Sequence, residues 1–237
     1  GYVGCVSAAC LADEGHEVIG VDINESKIEF INSGKSPIIE EGMDDLVRRV
    51  VEKGRLVATM DTKKAINESE ITMITVGTPS RDNGDLDLTY VERVAAKIGS
   101  LLANKDGFHI IVLRSTVLPG TTEDFLVPIL EESSGKKIYV DFDVYFNPEF
   151  LREGSSLKDF YNPPFTVLGT HDPSASSKLD ELYGFIDAPF FKTSIKSAEM
   201  LKYVNNTVHG LNVAFANEVV MICKRLGVDS HEVMDLF

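Results

Sequence analysis

Lys202, Asn206, His209 and Asn217 stand in a proline-free stretch over residues 195–226. At about 100° per residue of helix they fall at roughly 0°, 40°, −20° and 60°, on one face across about four turns. An ammonium, two amides and an imidazole thus share one polar stripe. The same helix offers Met200, Leu201, Val204, Leu211, Phe215, Val219 and Val220 for packing. A polar stripe on such a helix faces solvent or lines a polar cavity, because buried amides and ammonium groups are costly when unpaired. A solvated stripe would carry more Glu and Lys, so the cavity is the expectation.

A second group of candidates lies in Asn147-Pro148-Glu149-Phe150-Leu151-Arg152-Glu153-Gly154. Two carboxylates four residues apart with an arginine between them make either a solvated, salt-bridged turn or, by their place at the sheet's carboxyl edge, part of a functional site. The segment follows a predicted strand, as do Gly77-Thr78-Pro79-Ser80 and Arg114-Ser115-Thr116-Val117-Leu118-Pro119-Gly120. In open α/β sheets ligands bind outside the carboxyl ends of the strands, where loops offer backbone donors and hydroxyls. Singly, either hydroxyl-bearing segment could be only a turn or a helix cap.

The chain opens Gly1-Tyr2-Val3-Gly4, continues as a helix pattern, and reaches Asp22 at the end of an apolar run. A dinucleotide fingerprint reads G-x-G-x-x-G between a strand and a helix, with an acid about 20 residues on for the adenosine ribose. Gly1 and Gly4 fit its second and third glycines, with the first strand and first glycine missing. An acid at Asp22 favours NAD over NADP. The structural alternative is a helix packed closely on a sheet, with Asp22 capping the next helix.

The elements that must position these groups read as an alternating α/β pattern, a Rossmann-type doubly wound, mostly parallel sheet followed by a long interdomain helix. Strands are predicted over 17–21, 56–59, 71–76, 109–113, 138–146 and 165–169. Helices are predicted over 4–14, 25–33, 43–53, 88–102, 122–131 and 173–185. From Ile195 to Leu226 a helix of about 45 Å is expected, with Gly227 at its C-cap. Residues 1–193 are thus expected to be a dinucleotide-binding domain lacking its first strand, and 194–237 the start of a helical linker and dimerisation domain.

With 43% hydrophobic and 25% charged residues the chain has the composition of a soluble globular protein. A net charge of −14 opposes binding to nucleic acid or an anionic membrane surface. The three cysteines, Cys5, Cys10 and Cys223, lack metal-like spacing and read as reduced cytosolic thiols. The sequence begins with Gly1, with no basic stretch ahead of its first apolar run, so no secretory signal is expected. No run approaches the roughly 18 apolar residues of a membrane helix.

GKSPIIE (34–40), VGTPSRDNGDLDL (76–88), RSTVLPGT (114–121), NPEFLREG (147–154) and AEMLKYVNN (198–206) together resemble the nucleotide-sugar 6-dehydrogenases of the GDP-mannose/UDP-glucose dehydrogenase family, in order and spacing. NGDLDL and NNTVHGLNVAFANE (205–218) look more like the GDP-mannose branch than the UDP-glucose branch. The resemblance implies oxidation of a nucleotide sugar at C6, GDP-mannose to GDP-mannuronate, the precursor of alginate-like polymers. It implies two hydride transfers to two NAD molecules by way of a cysteine thioester. Carried over by position, Tyr2, Val3, Asp22, Lys27, Thr78 and Thr116 contact NAD. Lys202 and Asn206 hold the substrate oxygen and stabilise the oxyanion, and Glu153 with Thr116 orders the hydrolytic water. Glu153 also lies near the reacting carbon, and His209 and Asn217 touch the sugar or nucleotide. No metal is implied. A homodimer through the long helix is implied as well.

The family's nucleophilic cysteine lies in a Gly-Gly-x-Cys-Leu-Pro-Lys-Asp segment that this sequence does not contain, and none of its cysteines matches that position. The polypeptide alone is therefore expected to be catalytically inactive. Two other readings compete. A 3-hydroxy-acid or 6-phosphogluconate type dehydrogenase would explain Lys202 and Asn206 but not NPEFLREG. A non-catalytic NAD-binding or dimerisation module would explain the missing segments.

Overall fold

The computed structural model describes residues 1–174 and 178–237. In chain order the elements are α1 (Tyr2–Asp13), β1 (Val18–Val21), α2 (Glu25–Asn32), α3 (Met43–Glu52), β2 (Leu56–Thr59), α4 (Thr62–Glu68) and β3 (Ile71–Ile74). Next come α5 (Thr89–Leu102), β4 (His109–Leu113), a π-helical turn (Thr121–Leu126), α6 (Val127–Ser134), β5 (Phe142–Phe146), α7 (Ser156–Tyr161) and β6 (Thr166–Gly169). The chain finishes with α8 (Lys178–Leu182), β7 (Phe190–Thr193), α9 (Ile195–Leu226) and α10 (Ser230–Leu236).

β1 pairs in parallel with β2, while β3-β4-β5-β6-β7 form a separate sheet in that order. All its pairings are parallel except β5 with β6, which meet antiparallel at Phe146 and Gly169. The central strands β4, β5 and β6 are largely buried on both faces, which is why β4 reads as a continuous apolar run. Ile110, Val112 and Tyr145 point to a core built with α1 and α3. Ile111, Leu113, Val144 and Phe146 point to the opposite core, which takes Val91, Ala95 and Ile98 of α5, Leu130 of α6, and Ile195 and Ala198 of α9. This is the doubly wound Rossmann arrangement the sequence predicts. The single sheet it implied is divided, because among the described residues no strand joins β1 to β3.

Several boundaries shift for physical reasons. The strand expected over 138–146 starts only at Phe142, since residues 138–141 turn, with Tyr139 at φ 66°. The helix expected over 122–131 opens as a π-helical turn and becomes α-helical at Val127. Pro128, which has no amide to donate, stands at the join of the π-helical turn and that α-helix. Of the helix expected over 173–185, residues 178–182 are helical, and 175–177 lie outside the described residues. β7, α4, α7 and α10 escaped the sequence reading because runs of four to seven residues are too short to display a period. Asp61 caps α4 by accepting from Lys64 N at 3.0 Å. β7 forms because β6 offers it a partner.

α9 matches its predicted limits and ends at Gly227, whose φ of 69° is the left-handed cap conformation. It leaves the sheet at Gly169 of β6, where a Cβ would stand 2.8 Å from Ala198 Cβ and 2.9 Å from the Ile195 Cα. Only glycine admits that approach, which sets where the first turns of α9 lie. Among the described residues no helix is long and apolar enough to cross a membrane.

Candidate functional site

The carboxyl ends of β3, β4 and β5 bring their loops together. Thr78 Oγ1 donates to the Thr116 carbonyl at 2.6 Å, and Ser115 Oγ donates to the Val76 carbonyl at 2.6 Å. The two hydroxyl-bearing loops are thereby zipped side by side, and Thr78 and Thr116, read separately from the sequence, are neighbours. The next strand end carries the loop of Glu149 and Glu153.

α1 begins beside the same edge. A Cβ on Gly4 would lie 2.5 Å from Thr75 Oγ1, so the helix approaches the end of β3 as closely as the third glycine of a dinucleotide fingerprint permits. Asp22 lies at the mouth of this helix, with Oδ2 3.5 Å from the Gly1 nitrogen. Partial burial pushes its carboxyl up, but the Asn24 amide and Lys27 are among the groups that outweigh burial and hold it below the usual carboxylate range. An ionised acid beside a glycine-lined helix N-terminus fits the ribose and pyrophosphate of a dinucleotide. The expected contacts Tyr2, Val3 and Lys27 belong to this corner. Lys27 sits in the first turn of α2, where its amide donates to Asn24 Oδ1 at 3.3 Å.

From the other side comes the root of α9. Lys202 is buried, and its Nζ donates to Glu149 Oε1 at 2.8 Å and to the Glu149 carbonyl at 2.5 Å. The ammonium also lies 5.5 Å from the Phe150 ring centroid. Both side chains of the pair are close to nine-tenths buried. Glu149 Oε2 accepts from Leu151 N at 2.8 Å, so the carboxylate that meets Lys202 is itself held by its loop.

The sequence names no acidic partner for Lys202; the structure pairs it with Glu149 of the NPEFLREG loop, while Glu153, the acid singled out by the resemblance, is exposed. The signal was present as a pair of carboxylates four residues apart. Sequence spacing could not tell which of them faces inward, because the loop is irregular and has no period.

The stripe on α9 divides. Asn206, His209 and Asn217 are exposed, and among the described residues none bonds their side chains. The cavity expected around them is not built by this chain, since α9 leaves the sheet behind soon after Lys202. Read backwards, the stripe meets Glu199, at roughly 60° on the same helical projection. Glu199 is fully buried and accepts from Gly120 N at 2.6 Å, Thr122 N at 2.8 Å and Thr122 Oγ1 at 2.6 Å. Burial pushes its carboxyl above the usual range despite these donors. It bolts α9 to the loop that carries Thr116.

The thiols are not poised for nucleophilic work. Burial pushes Cys5 up to about 11 and Cys10 to about 12, leaving both protonated at neutral pH. Cys223 is buried on α9, remote in sequence from the loops described.

Comparison with known proteins agrees with this geometry. Residues 1–187 match the model of the UDP-glucose/GDP-mannose dehydrogenase family, NAD binding domain, and residues 196–237 match the central domain of that family. GDP-mannose 6-dehydrogenase of Pseudomonas aeruginosa is 50% identical over 236 residues, covering 100% of this chain and 54% of the relative. A crystal structure of a ternary complex of GDP-mannose dehydrogenase from Pseudomonas aeruginosa superposes with a TM-score of 0.96 at 50% identity, covering 100% of this chain and 54% of that one. A UDP-glucose dehydrogenase from Pyrobaculum islandicum superposes with a TM-score of 0.92 at 40% identity, covering 100% and 54% of the respective chains. The chain thus spans about half the length of the relatives it matches. A likeness that runs through both the sequence and the backbone over the whole of these residues leaves one conclusion: the chain belongs to the UDP-glucose/GDP-mannose dehydrogenase family.

Proposed function

We propose that this chain is the NAD-binding and oxyanion-holding part of an NAD-dependent nucleotide-sugar 6-dehydrogenase, with GDP-mannose as substrate and GDP-mannuronate as product. The observation that carries the reading is the meeting of Lys202 with Glu149, a buried ammonium and carboxylate at the edge of the sheet where the fingerprint helix begins. Tyr2, Val3, Asp22, Lys27, Thr78 and Thr116 would hold NAD, two molecules of which would supply the hydride acceptors for the two oxidations at C6. Lys202 and Asn206 place cationic and amide donors on the substrate oxygen, where a preorganised donor stabilises developing negative charge. Glu153 and Thr116 orient a water, with Glu153 moving its proton. His209 and Asn217 meet the sugar or the nucleotide.

A cysteine nucleophile outside these residues completes the reaction, since burial holds Cys5 and Cys10 protonated and Cys223 is buried at the far end of α9. A second copy of the chain covers the apolar side of α9, where Val204, Val208, Leu211 and Phe215 are at least 45% exposed at spacings that follow one helical face. The test is calorimetric titration of the chain with NAD, GDP-mannose and UDP-glucose, together with an assay for NADH. NAD is expected to bind, with no steady NADH from GDP-mannose. Absence of NAD binding would overturn the cofactor reading, steady NADH would overturn the external nucleophile, and preference for UDP-glucose would reassign the substrate.

A further inference from the structure

Glu40 belongs to the loop between α2 and α3, which none of the proposed roles uses. Its carboxylate nonetheless gathers donors from two distant parts of the site. Oε2 accepts from the Tyr2 hydroxyl at 2.5 Å and from Gly154 N at 2.9 Å, and Oε1 accepts from Ser156 N at 2.9 Å. Tyr2 is the first residue of the fingerprint helix. Gly154 follows Glu153 directly and takes φ 87°, a conformation that sets the direction in which the chain leaves Glu153.

We propose that Glu40 is a positioning residue that ties the cofactor-facing end of α1 to the turn carrying Glu153. The inference rests on the NAD reading given above. An ionised carboxylate offers about four lone-pair sites, enough for all three donors, and charge-assisted bonds of this kind are the stronger ones. The Tyr2 hydroxyl and the amides of Gly154 and Ser156 hold the Glu40 carboxyl below its usual range, so the clamp is charged at neutral pH. The Tyr2 hydroxyl is raised in turn, by burial and by the Glu40 bond. A movement of α1 on binding NAD is therefore passed through one carboxylate to the backbone on the C-terminal side of Glu153.

Glutamine at this position keeps one acceptor oxygen and turns the other into a donor, so Glu40→Gln strands at least one of the two amides, while Glu40→Asp keeps both oxygens on a shorter arm. The experiment is hydrogen exchange of the full chain, with and without NAD, read over residues 152–157 against β4 as an internal reference. In Glu40→Gln, exchange over 152–157 is expected to rise about tenfold with β4 unchanged, the size of effect that loss of one charge-assisted hydrogen bond gives. Saturating NAD is expected to slow this segment in the wild type but not in Glu40→Gln, and Glu40→Asp is expected to recover part of the slowing. Tyr2→Phe leaves the amides clamped, so its exchange without NAD should stay near wild type, while at NAD concentrations that calorimetry shows to saturate the variant the slowing by NAD disappears. Tyr2→Phe decides the matter if Glu40→Gln fails to fold and β4 exchanges faster too. Wild-type exchange over 152–157 in Glu40→Gln, or undiminished slowing by NAD in either variant, overturns the inference. If the wild type does not bind NAD, the cofactor reading falls, and the exchange without NAD still decides whether Glu40 holds the turn.

Discussion

The two halves of α9 share one helix and differ in almost everything else. Its root, from Ile195 to Lys202, is pressed on Gly169, bolted through Glu199 to the Gly120 and Thr122 amides, and closed by the Lys202–Glu149 pair. Beyond Val204 the helix projects from the sheet with Leu211 66% and Phe215 50% exposed, and α10 folds back on it through Phe215 and Phe237, whose rings are 5.9 Å apart. The root is where tertiary contacts hold the side chains in place. The projecting half carries an exposed apolar face that packing does not stabilise. Under the proposed function, catalytic placement and association would be separated along one element.

Breaking the root should have the largest effect. Lys202→Met leaves Glu149 buried without its counter-charge and is expected to cost about 4 kcal/mol in urea unfolding. Adding Glu149→Gln should return part of that loss, because the stranded charge is then gone. Equal costs for Lys202→Met and the double variant would mean that the pair is not coupled.

A smaller effect is expected at Glu199. Replacement by Gln mismatches one of the donor groups it serves, for about 2 kcal/mol. The sign of its pH dependence follows from burial, which raises the folded carboxyl above its ordinary 4.5. A raised value means that the folded chain holds this proton more tightly than the unfolded one. The stability it contributes is then complete below pH 4.5 and is lost as pH climbs through the raised value. The wild type's advantage over Glu199→Gln should therefore shrink with rising pH. An advantage that grows from pH 4.5 to 7 would contradict the assignment of burial as the dominant cause.

The smallest effect on folding belongs to the projecting half. Val208→Asn with Leu211→Asn should shift unfolding by less than about 0.5 kcal/mol when measured on dilute monomer, as exposed positions do. The same pair should move the mass in solution toward one chain. A large loss of monomer stability would show that this half packs against its own chain, and an unchanged mass would remove α9 as the association surface.

Of the site, the sequence made Lys202 and its loop legible, since a helical period and a strand-end motif survive in one dimension. It also marked Gly4 and Asp22, because a glycine and an acid at fingerprint spacing have few other reasons to occur. It did not reveal that Lys202 pairs with Glu149 in preference to Glu153, nor that Glu40 reaches across to Tyr2 and Gly154. Those choices depend on how irregular loops fold over one another, and loops carry no period to read. The buried Glu199 was open to detection as an acid on the polar face of α9 one turn before Lys202, yet burial of a carboxylate is decided by donors more than 70 residues away in the chain.

By itself the sequence determined the alternating α/β order, the length of α9 and its end at Gly227, because apolar period, proline exclusion and a glycine cap are local instructions. Tertiary structure alone decided that the strands form two sheets, that the polar stripe of α9 is divided into a buried root and a solvated remainder, and which carboxylate meets the ammonium. The physical reason is the same in each case. Hydrogen-bond partners and desolvation are properties of distant segments brought together, and a single side chain acquires its role only when the groups that pair with it arrive.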